Sequence, residues 1–117
     1  MNVWIETLET ATVAALEGRI DFNSAPECQA QLEAALAGVR APGALLVDCG
    51  GLSYVSSAGL RVFLLCARAA QRAGVPFALC ALQPAVREVF ELSGFSRIIT
   101  IHADRGTALA QCRPPRA

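Results

Sequence analysis

Apolar positions along this chain switch between a two-residue period and a three-to-four-residue period, and each switch marks a new element. "NVWIETLE" sets Val3, Ile5 and Leu8 among polar neighbours, and "TVAALEGRI" follows after a two-residue break. So short a break predicts an antiparallel strand pair, because a parallel crossover needs many more residues. In "DFNSAPECQAQLEAALAGVR", Ala25, Cys28, Leu32, Ala35, Leu36 and Val39 recur at helical spacing. Ser24 and Glu27 have the spacing of a capping box, and Pro26 falls in the first turn, where no backbone N–H is missed. "GALLVDC" is a short, continuous apolar run, the pattern of a strand covered on both faces.

After Gly50 and Gly51 comes "YVSSAGLRVFLLCARAAQRAG". Leu60, Phe63, Leu64, Ala67 and Ala70 form one helical face, and Arg61, Arg68 and Arg72 mark the opposite one. Gly74 supplies a left-handed C-cap, and Pro76 confirms the stop. "VPFALCAL" predicts another covered strand. "QPAVREVFELSGF" predicts a helix from Pro84 that closes at Gly94, with Phe95 placed for the hydrophobic contact of a Schellman end. "RIITI" reads as the last strand, and Asp104 as the cap of a short helix running through Cys112.

The predicted order is β-β-α-β-α-β-α-β-α. Right-handed crossovers then give an α/β fold with a mixed central sheet, about four surrounding helices and an antiparallel component from the opening pair. No internal repeat, linker or low-complexity segment interrupts the pattern. Residues 1–112 are expected to form one domain, with "RPPRA" at 113–117 as a frayed tail.

Composition narrows the function. The chain has 117 residues, 54% of them hydrophobic and 17% charged, which suits one domain with a real core. Ten basic and ten acidic residues give a formal net charge of zero, so no face is forced toward nucleic acid or anionic lipid. Every basic residue is arginine, which excludes a P-loop lysine, a Schiff-base lysine and a lysine general base. The start, "MNVWIETLET", lacks the basic and apolar segments of a signal peptide. No run reaches the roughly 18 apolar residues of a transmembrane helix, so the expected location is the cytoplasm. Cys28, Cys49, Cys66, Cys80 and Cys112 are odd in number and widely separated, without the close spacing of a zinc or thioredoxin-type site. They are expected to be small reduced thiols, mostly buried.

Catalytic chemistry finds little support. His102 is the only histidine, in "TIHADRG" after the last strand, and any Ser-His-Asp or Cys-His triad would have to use it. Asp21 and Asp48 each lie near the predicted C-terminal end of a strand, where α/β folds gather functional groups. They are either paired carboxylates or a strand terminator and a loop ligand. Gly50-Gly51 has neither the P-loop nor the dinucleotide-binding spacing. No catalytic residue, metal site or cofactor is assigned.

Ser56 and Ser57 stand at a helix start, where backbone N–H groups lack intrahelical partners and the dipole leaves partial positive charge. A serine there serves as an N-cap, and the same geometry holds a phosphate. Both uses are compatible, one serine capping while its neighbour is displayed.

"VDCGGLSYVSSAGLRVFLLCARAAQRAG" resembles the signature of the STAS family, the anti-sigma factor antagonists and their relatives, in which an apolar strand ending in D-S-[SA]-G-L runs directly into a helix. "LEGRIDFNSAPE" and "LCALQPAVREVFELSGFSRII" resemble two further segments of that family, in the right order, so that the likeness covers most of the chain.

The resemblance implies a binding protein and not an enzyme. Its unphosphorylated form would dock onto an anti-sigma factor that is also a serine kinase, releasing a sigma factor and restoring transcription. A Ser/Thr phosphatase would reset the switch, with no direct nucleic-acid contact and no membrane insertion. Ser57 falls where the family's phosphorylated serine or threonine lies. Asp21 matches the acidic residue near that serine, and Gly59 and Leu60 match the Gly-Leu that opens the helix. Asn23, Ser24, Ser56, Ala58 and Arg61 complete the expected surroundings. Three positions depart from the pattern: Ser56 replaces an aspartate, which makes it a second candidate acceptor, Ala58 replaces a common serine, and Arg61 replaces the small residue of some members. Arg61, one turn after Ser57, is placed to pair with a phosphate. STAS domains also serve as accessory subunits of a bacterial lipid-transport ATPase, or as nucleotide-binding modules, and these are the alternative functions.

Overall fold

A computed structural model describes residues 1–40 and 42–112. Among these residues five strands, β1 (Asn2–Thr7), β2 (Ala11–Ile20), β3 (Ala44–Val55), β4 (Phe77–Cys80) and β5 (Thr100–His102), form one sheet in sequential order. Among the described residues the α-helices are α1 (Ala25–Ala37), α2 (Ser57–Ala73), α3 (Pro84–Leu92) and α4 (Arg105–Gln111), and a 3₁₀ turn spans Phe95–Arg97. β1 pairs antiparallel with β2, while β2–β3, β3–β4 and β4–β5 are all parallel. The mixed sheet expected from the element order is therefore present.

A parallel sheet that grows in one direction through right-handed crossovers places every crossover helix on the same face. α1, α2 and α3 accordingly share one side, where Leu16, Ile20, Val47, Leu52 and Val55 of the sheet meet Leu32, Phe63 and Phe90 in a single apolar cluster. The Phe63 and Phe90 rings, 5.5 Å apart and tilted by 54°, join α2 to α3. On the opposite face α4 covers a smaller patch, with Ala108 set against Val13, Leu46, Ala78 and Cys80. Helices on both faces explain why β2 and β3 read as nearly unbroken apolar runs.

Several local expectations change. β3 does not end at Cys49 but runs through both glycines to Val55. The register of β2 against β3 shifts there, and a Cβ on Gly51 would stand 2.8 Å from the Leu16 carbonyl oxygen, a contact that only glycine avoids. The capping box does not form: Ser24 is in the αR region and makes no side-chain cap. The buried face of α2 is Gly59, Leu60, Val62, Phe63, Cys66 and Ala70, with Leu64 and Ala67 at its margin. Its three arginines are exposed as expected. Gly74 takes the left-handed conformation at φ 72°, and the Val75 N–H returns to the Ala70 carbonyl, closing a Schellman turn.

Gly94 is also left-handed, but the Phe95 N–H donates to the Ser93 hydroxyl, so that end is not a Schellman motif. "RIITI" begins inside the 3₁₀ turn, and the strand is only Thr100–His102. Asp104 caps α4 as predicted, its carboxylate accepting from the Thr107 N–H at 2.7 Å. The tail expected at 113–117 lies outside the described residues.

Candidate functional site

β2 and β3 end side by side, with Ile20 opposite Val55. The two segments that follow, Asp21–Ser24 and Ser56–Arg61, therefore leave the sheet at neighbouring points. The Ser56 N–H donates to the Ile20 carbonyl at 2.8 Å and fastens one segment to the other. This junction sets side by side the two segments that hold the residues expected around Ser57.

Ser56 is the N-cap of α2. Its backbone is extended (φ −88°, ψ 176°), and its hydroxyl accepts from the Gly59 N–H at 3.2 Å. Its carbonyl takes the Leu60 N–H at 2.9 Å. Ser57 is the first helical residue and is exposed; the bonds of the turn run to Ser56 and leave the Ser57 side chain facing solvent. The two serines thus divide the roles of cap and displayed hydroxyl. Ala58 is half-buried against the core, Leu60 is buried, and Arg61 is exposed one turn beyond Ser57.

Gly59 sets the position of that turn. A Cβ there would lie 2.6 Å from Val55 Cγ2 and 2.8 Å from Ile20 Cγ2, closer than real side chains come. The first turn of α2 therefore rests directly on the ends of β2 and β3.

Asp21 organises that loop. Its Oδ1 accepts from the N–H groups of Asn23 and Ser24, each at 2.9 Å. The Ser24 hydroxyl donates to the Arg19 carbonyl at 2.9 Å and accepts from the Asp21 N–H at 3.0 Å. The Ser24 N–H is the main cause that holds the Asp21 carboxyl below its ordinary range. Ser24 serves the loop and not the helix, which is why the capping box is absent. Asn23 is exposed.

Asp21 and Asp48 do not pair. Asp48 lies within β3, half-buried, where its Oδ2 accepts from Arg105 Nε at 3.0 Å and its Oδ1 from the Gly50 N–H at 2.9 Å. Arg105 also reaches Glu6 at 3.5 Å, joining α4 to β1 and β3. His102 ends β5, an edge strand two places from β3 in the sheet order. No metal-binding cluster of three or more His, Cys, Asp or Glu residues occurs among the described residues. No helix among them is long and apolar enough to cross a membrane.

The sequence pattern missed two features beside this site. Phe22, between Asp21 and Asn23, is 83% exposed, an apolar side chain set in water at the rim of the junction. The Arg19 guanidinium lies 4.3 Å above the Tyr54 ring, a stack between partners across β2 and β3 on the part of the sheet that α4 leaves open. A phenylalanine in a loop between polar residues was the available signal for the first. The second depends on register, which a linear pattern does not reveal.

Known proteins agree with this geometry. The STAS domain family matches residues 2–108. BtrV of Bordetella bronchiseptica, assigned as an anti-sigma factor antagonist, is 36% identical over 110 residues, covering 94% of this chain and 93% of BtrV. Rv2638 of Mycobacterium tuberculosis, assigned as an anti-anti-sigma factor, is 35% identical over 97 residues, covering 80% of this chain and 64% of that protein. The solved structure of the anti-sigma factor antagonist SpoIIAA in its unphosphorylated form superposes with a TM-score of 0.78 at 21% identity, over 99% of this chain and all of SpoIIAA. The phosphorylated form of Bacillus SpoIIAA gives 0.70 over 96% of this chain. On its sequence, its strand order and the serine-opened helix that follows the central strand, this chain belongs to the STAS domain family.

Proposed function

We propose that this protein is an anti-sigma factor antagonist that binds, when unphosphorylated, an anti-sigma factor with serine kinase activity, and that phosphorylation of Ser57 switches it off. The observation that carries the reading is the division of labour at the start of α2. Ser56 Oγ is occupied by the Gly59 N–H, while the Ser57 hydroxyl is exposed. The protein is the substrate and the partner supplies the catalytic groups. The kinase joins Ser57 Oγ to the γ-phosphorus of ATP and breaks the bond to the β-phosphate. ADP leaves, and the hydroxyl proton passes to a base of the kinase. A Ser/Thr phosphatase hydrolyses the ester and resets the switch.

The fold accepts the product. A phosphate on Ser57 meets the positive end of the α2 dipole, and Arg61 stands one turn away. The partner does not accept it, because its surface is complementary to a neutral hydroxyl and desolvating an unpaired charge costs several kcal/mol.

Calorimetric binding of wild type, Ser57→Ala and Ser57→Asp to the anti-sigma kinases of the source genome, with thermal unfolding of each variant, tests the proposal. Ser57→Ala keeps binding and loses phosphorylation. Ser57→Asp loses about 2–3 kcal/mol of binding, a roughly 30- to 150-fold change in Kd, with little change in stability. Peptide mapping after reaction with kinase and ATP finds phosphate on Ser57. Wild-type affinity in Ser57→Asp, or phosphate chiefly on Ser56, overturns the switch.

A further inference from the structure

Charge is segregated on this molecule in a way that its net value conceals. Ten basic and ten acidic residues cancel over the chain, yet the 17 residues of α2 contain three arginines and no acid. Arg61, Arg68 and Arg72 are all exposed. At 100° per residue they project within about 40° of one another, in a row about 16 Å long that continues the line of Ser57. The ion pairs among the described residues use Arg87 and Arg105, not this row.

A groove of about 450 Å³ adjoins it, between α2 and the strand edge. Leu64, Val75, Phe77 and Ile98 supply apolar walls, Arg68 and Gln71 supply polar ones, and Ile98 is 63% exposed. α1, packed beside α2, carries Glu27 and Glu33 and no basic residue.

We propose that this arginine row, with the groove beside Arg68, docks an acidic amphipathic helix of the anti-sigma factor. The inference rests on the function proposed above and adds a second contact, which runs along α2 away from the acceptor serine. Carboxylates at helical spacing complement three arginines on one line, and an apolar side chain of the same helix enters the groove. Glu27 and Glu33 repel an acidic element that strays over α1, which fixes its position on α2. Three charges fall short of the four to eight that characterise polybasic lipid-binding segments. So short a row on a chain without net charge also lacks the broad basic footprint of a nucleic-acid binder. A phosphate on Ser57 would put negative charge at the head of the row, so phosphorylation would weaken this contact too.

The test uses the full chain and the double variant Arg68→Glu/Arg72→Glu, with Arg87→Glu on α3 as the control and thermal unfolding to confirm folding. Binding to the anti-sigma kinases of the source genome is measured at low and high salt. The expected result is at least about tenfold weaker binding of the double variant, mostly through slower association, with a flatter salt dependence and a control like wild type. The double variant should still be phosphorylated on Ser57 at saturating kinase.

Equal affinity in wild type and the double variant overturns the row as a docking surface while leaving the proposed function intact. A wild-type protein that binds none of the kinases overturns both. Retention of the wild type, but not of the double variant, on phosphatidylglycerol vesicles or duplex DNA assigns the row to another occupant and overturns the inference. Self-association in sedimentation that the double variant abolishes does the same, since it assigns the row to Glu27 and Glu33 of a second copy.

Discussion

Gly59→Ala is the sharpest test of how α2 is seated. In most helices the exchange would stabilise, since alanine is favoured over glycine by up to about 1 kcal/mol. Here the new methyl group would stand 2.6 Å from Val55 Cγ2, 2.8 Å from Ile20 Cγ2 and 3.1 Å from Ile20 Cβ. Both neighbours are β-branched and stiff, Ile20 fully buried and Val55 at 4% exposure, so neither side chain has space to turn away. Relief requires the first turn of α2 to lift from the sheet, which strains the 3.2 Å cap between Ser56 and the Gly59 N–H.

Overpacking of a tight core costs about 1–3 kcal/mol, and a weakened cap adds up to about 1. Contacts of 2.6 and 2.8 Å on stiff neighbours belong in the upper part of that overpacking range, about 2–3 kcal/mol, so after a propensity gain of about 1 the net loss is about 1–3 kcal/mol. For a chain of 117 residues that is a fall in Tm of about 4–12 °C. Differential scanning calorimetry with urea unfolding measures it. An unchanged or raised Tm would falsify the direct seating of α2 on β2 and β3. Because the same lift displaces Ser57, affinity for the anti-sigma factor should fall in step.

Ser56→Ala removes the cap without touching the displayed hydroxyl; a stability loss of about 1 kcal/mol is expected, with phosphorylation of Ser57 retained, and a loss of phosphorylation would show the roles reversed. All five cysteines should alkylate only after unfolding or slowly, because burial pushes Cys28 and Cys80 up to about 11 and Cys66 up to about 12. Raised folded-state values mean that their stability contribution is present below the ordinary thiol value of 9.0 and is lost as pH climbs through 11 to 12. A flat urea midpoint from pH 8 to 11 would contradict that. Asp21 works in the opposite sense: its lowered value makes its contribution present above the ordinary 3.8 and lost as pH falls through the folded value. Asp21→Asn should therefore flatten the acid limb of the stability profile, and an unaltered limb would show that the loop bonds carry no linkage.

Much of the fold was legible because local rules act over a few residues. The helical recurrence of Cys28, Leu32 and Leu36, the left-handed stop at Gly74 and the cap at Asp104 all came from periodicity and short-range hydrogen bonding. The serine-opened helix came the same way, and its likeness to one family identified Ser57 as the acceptor to test. What periodicity misjudged were points at which a distant group competes for a backbone partner. Ser24 has the spacing of a capping residue, but the Arg19 carbonyl and the Asp21 N–H claim its hydroxyl. The apolar run ends at Cys49, yet pairing with β2 carries the strand on through Gly50 and Gly51.

The sequence by itself determined the elements, their order and the chemistry available: arginine without lysine, one histidine, thiols without metal spacing. Only the tertiary structure decided which serine caps and which is displayed, since that choice depends on the Ser56 N–H meeting Ile20 and the Gly59 N–H meeting Ser56. It also separated Asp48 from Asp21 by pairing Asp48 with Arg105, 57 residues further along the chain. The alternation of a strand and the turn of a helix are properties of neighbours, and a sequence carries them openly. Contacts between segments arise only once a sheet has fixed its register, and at this site the register of β2 against β3 turns two loops into one surface.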